Sequence, residues 1–262
     1  MKKDTVYLIS DAHFGIDLQG CEAREALFFK WLQEISPEMS ELIIVGDLFD
    51  FWIEYKSAVR PDYFPVLHAL KNVVEQGIKI HYLAGNHDFA LGTFLEEKLG
   101  IIIHHGTFDA EIQGKKVHIF HGDGLIKRDI GYRILKKVLR NPFNQKLYKL
   151  LHPDLGVALG TLVSGSSRKY LRPVLKESII NEYRQNALCL LKKGNDIVVF
   201  GHTHRADLCR FDSGIYCNTG SWLINYNFAS IKNGELQLWR YREGLSPEEI
   251  HCSDLKNGSS VS

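Results

Sequence analysis

The chain has 262 residues, of which 45% are hydrophobic and 24% charged, and its formal net charge is +1. This length can bury a large core as one domain, with or without an insertion. The composition argues against a disordered or fibrous chain, and the near-neutral charge gives no sign of a nucleic-acid partner. The five cysteines are odd in number and contain no CxxC pair, which favours reduced thiols in a reducing compartment.

No stretch of the sequence reaches the roughly 18 apolar residues of a transmembrane helix. The apolar run 6–9 near the N-terminus is too short for a signal peptide, and the polar Asp11 and His13 follow it at once. We therefore expect a cytoplasmic protein, with contact to a membrane surface left open.

The first half of the chain alternates predicted strands and helices. Apolar runs at 5–10, 42–45 and 78–84 predict three short buried strands. Between them, apolar residues at helical spacing predict helices at 22–35 and 64–74. This βαβαβ order predicts a mostly parallel sheet with crossover helices.

The second half contains short strands with few helices between them. The predicted strands are 108–112, 117–121, 197–200, 207–211, 215–218, 228–232 and 236–241. Hairpin turns are predicted at Gly114–Lys115, Ser213–Gly214 and Asn233–Gly234. We expect an antiparallel or mixed sheet packed against the first one, completing a domain over 1–242. The polar segment 243–262 is expected to be a flexible tail.

One segment interrupts this order and is strongly basic. Residues 125–176 contain 12 Lys or Arg against 2 Asp or Glu. Apolar residues three and four apart predict helices at 130–139 and 144–151 within it. We interpret 125–190 as a helical insertion that covers the site, not as an independent domain.

Seven side chains that can bind metal stand in five short blocks, each at the end of a predicted strand. They are Asp11, His13, Asp47, Asn86, His121, His202 and His204. Strand ends of an open α/β sheet meet at one edge, so these side chains are expected to converge. Any one of them alone is more often a cap or a satisfied polar contact. Five blocks in one order, four of them with an adjacent glycine, point to a metal site.

The residue types indicate which ions and which chemistry to expect. Carboxylate and imidazole together suit manganese, zinc or iron, whereas all-oxygen sites suit calcium or magnesium. A shared carboxylate can bridge two ions about 3.5–4 Å apart, and such a pair promotes hydrolysis of phosphoesters.

The pattern D-x-H, G-D-x-x-D, G-N-H-D, H-G-D, G-H-T-H resembles the calcineurin-like metallophosphoesterase superfamily over residues 5 to about 241. The resemblance implies two packed mixed β-sheets flanked by helices, a four-layer αββα sandwich, here with a helical lid. It also implies ligand roles: Asp11, His13 and His204 for one ion, Asn86, His121 and His202 for the other, and Asp47 as the bridge. His87 would assist the leaving oxygen. Asp88 would orient His87, and Asp50 and Asp123 would support the ligands or cap their loops.

Narrower clues are the stretch from Gly46 to Trp52, the His121-Gly122-Asp123-Gly124 block and the insertion. Together they resemble UDP-2,3-diacylglucosamine diphosphatases of lipid A assembly. These enzymes release UMP and a diacylglucosamine 1-phosphate, with manganese as the expected metal. Their most familiar members carry Arg after the Asn ligand, whereas this chain has His87. That departure leaves open a sister group with another substrate.

The insertion offers candidate substrate contacts. Cations there would stabilise the charge of a diphosphate, and hydroxyls would add hydrogen bonds. The candidates are Arg168, Lys169, Arg172, Lys127, Arg133, Ser166 and Ser167. For Trp52, substrate contact and simple packing weigh evenly. Apolar residues of the insertion would either form core or line a slot for acyl chains. A basic amphipathic element also suits contact with the cytoplasmic face of the inner membrane.

Two other classes of function stay open at this point. The same scaffold serves nucleases, cyclic-nucleotide phosphodiesterases and dinucleoside polyphosphate hydrolases. A non-catalytic binding module is the third class, which the complete ligand set disfavours. The sequence gives no oligomeric state.

Overall fold

The computed structural model describes residues 3–16, 21–126, 137–138, 141–167 and 175–251. The helices are α1 (Cys21–Ile35), α2 (Phe64–Glu75), α3 (Pro142–Tyr148), α4 (Pro153–Ser167), α5 (Glu177–Leu191) and the one-turn α6 (Trp222–Asn225). A 3-10 turn at Pro61–Tyr63 precedes α2, and a π-type turn lies at Leu95–Leu99. No helix within these ranges is long and apolar enough to cross a bilayer.

The strands fall into two large sheets and one small one. In chain order they are β1 (Thr5–Ile9), β2 (Met39–Ile44), β3 (Trp52–Ile53), β4 (Lys79–Leu83), β5 (Asp88–Ala90), β6 (Ile102–His104), β7 (Phe108–Ile112), β8 (Lys115–Phe120), β9 (Ile197–Phe200), β10 (Ala206–Phe211), β11 (Gly214–Thr219), β12 (Asn227–Lys232), β13 (Glu235–Arg240) and β14 (Glu248–Glu249). One sheet has the order β14-β13-β12-β1-β2-β4-β6 and the other β10-β11-β9-β8-β7, while β3 and β5 pair alone.

Both large sheets are mixed, and their parallel strands include those that lead into the predicted metal loops. Strands β1, β2, β4 and β6 run parallel, as the βαβαβ pattern predicts. In the other sheet β9 runs parallel to both β8 and β11. The edge strand β7 forms an antiparallel hairpin with β8, and the edge strand β10 forms one with β11. The carboxyl ends of β1, β2, β4, β8 and β9 therefore open onto one edge of the molecule.

Side-chain alternation along the strands explains the layers. In β1, Val6 and Leu8 belong to the core between the two sheets, whereas Tyr7 and Ile9 pack with α1 and α2 on the outer face. Helix α5 covers the other outer face through a cluster that includes Tyr183. Since successive strand residues face opposite sides, each buried strand supplies two layers. The result is the predicted αββα sandwich.

One prediction about the chain outside this core needs correction. The tail was expected to be flexible from 243 onward, but β14 pairs with β13 and Ile250 is buried in the core between the sheets. The folded part therefore extends at least to 250, and 252–262 lie outside the described residues. The ends of the predicted strands agree with the structure to within three residues, whereas the short strands β3, β5 and β6 were not predicted.

The described part of the insertion is helical, and it packs beside the small sheet. Helix α3 begins after Asn141, whose side chain accepts the backbone N–H of Phe143 at 2.9 Å. Helix α4 was not predicted separately, because Gly156 and Gly160 weaken its apolar periodicity. A Cβ atom at Gly160 would collide with the ring of Phe51, so this glycine allows close packing. The predicted helix 130–139 lies outside the described residues except for 137–138.

Candidate metal centre

The structure brings the five predicted blocks to one edge of the sandwich. Two groups of three side chains each place a ligand atom within 4.8 Å of the others: Asp11, His13 and His204, and Asp47, His121 and His202. The seventh predicted ligand joins the second group, because Asn86 Oδ1 lies 3.0 Å from His121 Nε2. All seven side chains therefore converge as the sequence predicts.

The two groups are neighbours. His13, Asp47 and His87 form a third set with the same 4.8 Å spacing, and it takes one member from each of the two groups. The ring centroids of His13 and His87 lie 4.6 Å apart. Asp47 is thus located between the two groups, which is the position that a bridging carboxylate requires.

The backbone at these loops is in an unfavourable conformation. Five of the seven side chains stand on left-handed residues, with φ of 52° at Asp11, 48° at His13, 54° at Asp47, 68° at His202 and 54° at His204. A non-glycine residue in this region costs on the order of 1–3 kcal/mol. Such strain persists only where the surrounding structure imposes it, and it concentrates at functional sites.

Backbone contacts between loops maintain this geometry. Gly46 has φ of 84°, and a Cβ there would collide with the ring of His121. The backbone N–H of His202 donates to Asp11 Oδ2 at 2.9 Å, and that of His87 donates to Asp47 Oδ1 at 2.8 Å. Each carboxylate is therefore fixed by a loop from a different strand.

The orientation of His121 is also fixed. Its Nδ1 donates to the carbonyl of Val45 at 2.7 Å, which directs Nε2 toward Asp47 Oδ2 at 3.2 Å. A ligand imidazole commonly has its second nitrogen bound to a carbonyl or carboxylate in this way.

The electrostatics favour ionised carboxylates and divide the four ligand imidazoles into two pairs. The pKa is lowered for His202 and His204 and raised for His13 and His121. Burial disfavours the ionised form of Asp11, but the adjacent His204 and other histidines lower its pKa to about 2. Burial lowers the pKa of both His202 and His204 to about 4. Burial alone would lower the pKa of His121, but the Asp47 carboxylate raises it to about 10. A cation beside Asp47 would take the place of that imidazole proton.

Buried polar atoms that lack a hydrogen bond show whether this set of residues fits a metal ion. Among the described residues, Asp11 Oδ1, both ring nitrogens of His13 and His204 Nδ1 are buried without a hydrogen bond. Such atoms are costly when left unsatisfied. Carboxylate and imidazole donors converging at this spacing suit divalent cations such as Mn²⁺, Zn²⁺ or Fe²⁺. The residues therefore fit the predicted group.

The surroundings of His87 differ from the prediction. Its Nδ1 donates to the backbone carbonyl of Asp50, so this carbonyl, from a loop 37 residues earlier, orients the ring. The Asp88 carboxylate instead accepts from Tyr82 Oη at 2.6 Å, Gly85 N at 2.8 Å and Asp47 N at 3.1 Å. The orienting role predicted for Asp88 is therefore wrong, and this carboxylate ties the Asp47 loop to the Gly85 loop.

The supporting carboxylates and the substrate candidates are placed as follows. Asp50 and Asp123 are both buried at the site, and the charge of Asp123 acts on His121 and His202. Trp52 is 1% exposed and packs on Phe49 and Tyr63, so of the two alternatives left open for it the structure shows packing and not contact with substrate. Ser166 and Ser167 are the last two residues of α4, and their side chains are outside the part of the structure that is described. The predicted cations Lys127, Arg133, Arg168, Lys169 and Arg172 also lie outside the described residues.

Two residues of the site were missed by sequence reasoning. Tyr82 lies in a buried strand and donates to Asp88, while Ser221 Oγ donates to the backbone carbonyl of Asp11 at 2.9 Å. Tyr82 gave one signal, a hydroxyl group in a strand that is predicted to be buried. Ser221 gave none, because its contact spans 210 residues of chain.

A two-sheet sandwich with paired carboxylate and imidazole groups at one edge defines a metal-dependent hydrolase. The model of the family described as calcineurin-like phosphoesterase matches residues 5–206. This chain belongs to that family, and the two packed sheets have its sandwich architecture.

Curated relatives share most of the chain. A Porphyromonas gingivalis protein named UDP-2,3-diacylglucosamine hydrolase is 30% identical over 256 residues, which cover 88% of this chain and 95% of that protein. A protein of the same name from Edwardsiella ictaluri is 28% identical over 260 residues, covering 97% and 98%. Among solved structures, the phosphoesterase Yfce from E. coli is similar with a TM-score of 0.46 at 14% identity, covering 94% of this chain and 98% of that one.

Proposed function

We propose that this protein hydrolyses the diphosphate of UDP-2,3-diacylglucosamine to UMP and 2,3-diacylglucosamine 1-phosphate, in lipid A biosynthesis. The observation that carries the proposal is the pair of three-residue ligand groups with Asp47 between them. The choice of substrate is supported by the curated relatives of that name, which match over nearly their whole length.

The ligand assignment follows the two groups. Asp11, His13 and His204 would hold one ion, Asn86, His121 and His202 the second, and Asp47 would contact both. Manganese is the expected metal, and zinc or iron would suit the same donors. When bound, such ions polarise phosphoryl oxygens and supply a nucleophile at neutral pH.

His87 is the candidate proton donor to the leaving oxygen. Its Nδ1 is occupied by the Asp50 carbonyl, so Nε2 is the atom that would hold and transfer the proton. The backbone N–H of His87 donates to Asp47 Oδ1 at 2.8 Å. That bond ties the position of the proton donor to the position of the bridging ligand. An arrangement of this kind aligns acid and attacked phosphorus before the reaction begins.

The insertion 125–190 would act as the lid for the lipid part of the substrate. Its helix α3 contacts the site through Gln145, whose Nε2 donates to the Phe89 carbonyl at 2.8 Å, and Tyr148 packs on Phe51 and Phe89. Five apolar side chains of α3, α4 and the turn between them are more than 40% exposed, and we call them the α3–α4 apolar surface: Phe143, Leu147, Leu150, Leu155 and Leu159.

A large exposed apolar surface is characteristic of a binding site. Here it suits acyl chains and the inner membrane in which a lipid substrate resides, because Lys146 and Lys149 lie beside it in the sequence and attract anionic headgroups. We propose that the protein is cytoplasmic and binds peripherally to that membrane surface.

The test is a substrate panel with purified protein, each reaction run with Mn²⁺ and with a chelator. It contains UDP-2,3-diacylglucosamine, a UDP-sugar without acyl chains, a cyclic nucleotide and single-stranded DNA. We expect Mn²⁺-dependent release of UMP from the first substrate. Metal-loaded protein that cleaves another member of the panel and releases no UMP from the lipid would assign a different phosphoesterase activity to the same centre.

A further inference from the structure

Arg205 lies next to the metal centre with its guanidinium group loosely held. It directly follows the predicted ligand His204, and its side chain is 33% exposed. Its Nη1 lies 3.5 Å from Glu177 Oε2, and the Glu177 side chain is 60% exposed. An exposed ion pair at this distance is weak and easily exchanged for another anion.

Helix α5 places this ion pair at the rim of the centre. Tyr183 Oη donates to the carbonyl of Gly122, the residue after His121, at 2.9 Å. Glu177 precedes Tyr183 by six residues, about 9 Å along a helix. The pair Glu177–Arg205 therefore connects the start of α5 to the loop of His202 and His204, beside the loop of His121.

A second arginine of the same neighbourhood shows the contrast. Arg184 donates two hydrogen bonds of 2.8 Å to the carboxylate of Asp207, whose side chain is 5% exposed. This bidentate, mostly buried pair fixes α5 to the start of β10. Arg184 is thus committed to the structure, while Arg205 has only the exposed Glu177 as an acidic partner among the described residues.

We propose that Arg205 binds the second phosphate of the substrate, the one that is not attacked. This inference rests on the proposed diphosphate substrate and makes Arg205 a specificity-determining residue. A guanidinium group matches phosphate oxygens with two parallel N–H donors, better than a lysine does. Arg205 directly follows His204 in the loop that carries two of the predicted ligands, and we infer that its guanidinium reaches a group bonded to the attacked phosphorus. A phosphodiester without a second phosphate gains nothing from this contact.

The test compares UDP and UMP as inhibitors of Mn²⁺-loaded protein that hydrolyses bis(p-nitrophenyl) phosphate. We expect unsubstituted protein to bind UDP at least tenfold more tightly than UMP. Arg205→Ala is expected to abolish that preference and to leave metal content and turnover of the small diester within about twofold. Arg210→Ala is the matched control and should retain the preference, because Arg210 is an exposed arginine of strand β10, which begins one residue after Arg205. Glu177→Gln removes the partner but not Arg205, and should retain it too.

Three results with unsubstituted protein and Arg205→Ala would overturn the proposal. They are equal inhibition by UDP and UMP in unsubstituted protein, an unchanged preference in Arg205→Ala, and a parallel loss of small-diester turnover and metal in that variant. Each differs from failure of the proposed function, which appears as absence of UMP release from the lipid while the small diester is still hydrolysed. Loss of the preference in Glu177→Gln would likewise count against the proposal, since the ion pair itself would then be what matters.

Discussion

The metal centre and the α3–α4 apolar surface are built on opposite principles. Asp11, Asp47 and His121 are at most 1% exposed and are fixed by loops from several strands. Phe143 and Leu150, in contrast, are 72% and 81% exposed. The first region binds polar groups away from water, and the second presents apolar groups to it. Both arrangements are unfavourable for the protein alone, and each becomes favourable with a bound partner.

This difference predicts how each region responds to substitution. A substitution in the metal centre should lower the amount of bound metal and the turnover, because several ligands together determine the position of each ion. A change on the α3–α4 apolar surface should affect lipid binding and leave metal and folding intact.

The largest effect is expected from Asp47→Ala. This residue lies between both ligand groups, so its loss should release metal and lower kcat/KM on the order of a thousandfold. Metal content by elemental analysis and hydrolysis of a small diester provide the measurement. Asp212→Ala, an exposed turn residue, is the matched control and should behave as unsubstituted protein. Full metal content in Asp47→Ala would show that the centre does not depend on a shared carboxylate.

His87→Asn should separate chemistry from metal binding. Because His87 is assigned to proton transfer and not to a metal, metal content should be retained while kcat falls roughly a hundredfold to ten-thousandfold. The loss should be smaller for a substrate with an acidic leaving group, such as p-nitrophenol, since that group needs no proton. An equal loss for both kinds of leaving group, together with a loss of metal, would make His87 a ligand of the third set found here.

The metal ligands could be predicted from the sequence better than the residues that hold those ligands in place. Ligands at the ends of parallel strands must meet at one edge, and short glycine-containing loops leave few alternatives, so the convergence of Asp11, Asp47 and His202 could be predicted. The partner of His87 could not. Asp88 is its neighbour in sequence, yet the Asp50 carbonyl from a distant loop makes the contact. Backbone acceptors have no sequence signature.

The remaining errors arise from tertiary packing. In the sequence, Trp52 is equally compatible with contact to substrate and with packing in the core. Its burial depends on the rings of Phe49 and Tyr63, which pack against it. Helix α4 escaped separate prediction because glycine is unfavourable in helices, although Gly160 is needed beside Phe51. The strand β14 is only two residues long, too short for any periodic pattern.

A smaller effect is expected on the α3–α4 apolar surface. Replacing Phe143, Leu147 and Leu150 together by Ser should weaken binding to anionic lipid vesicles and raise the KM for the lipid substrate at least tenfold. Tenfold corresponds to about 1.4 kcal/mol, which is less than the roughly 1.5–3 kcal/mol that full burial of a single such side chain contributes. Turnover of a water-soluble diester should not change. Because these side chains are exposed, the thermal midpoint should shift little. Vesicle co-sedimentation provides the measurement. Unfolding of the variant would instead show that the three side chains belong to a core.

The smallest effect is expected from Tyr82→Phe. This substitution tests whether the hydrogen bonds of Asp88 affect the metal affinity of the centre. The change removes the hydroxyl that donates to Asp88 Oδ1 at 2.6 Å, and a buried acceptor left without its donor costs roughly 1–3 kcal/mol. Asp88 retains its bonds to the backbone of Asp47 and Gly85, so Mn²⁺ affinity should fall only severalfold. Urea unfolding and a Mn²⁺ titration measure the two quantities. Tyr226→Phe is the control, because the Tyr226 hydroxyl makes no hydrogen bond to any residue that the structure describes. A loss of stability without any change in affinity would show that Asp88 supports the fold and not the position of Asp47.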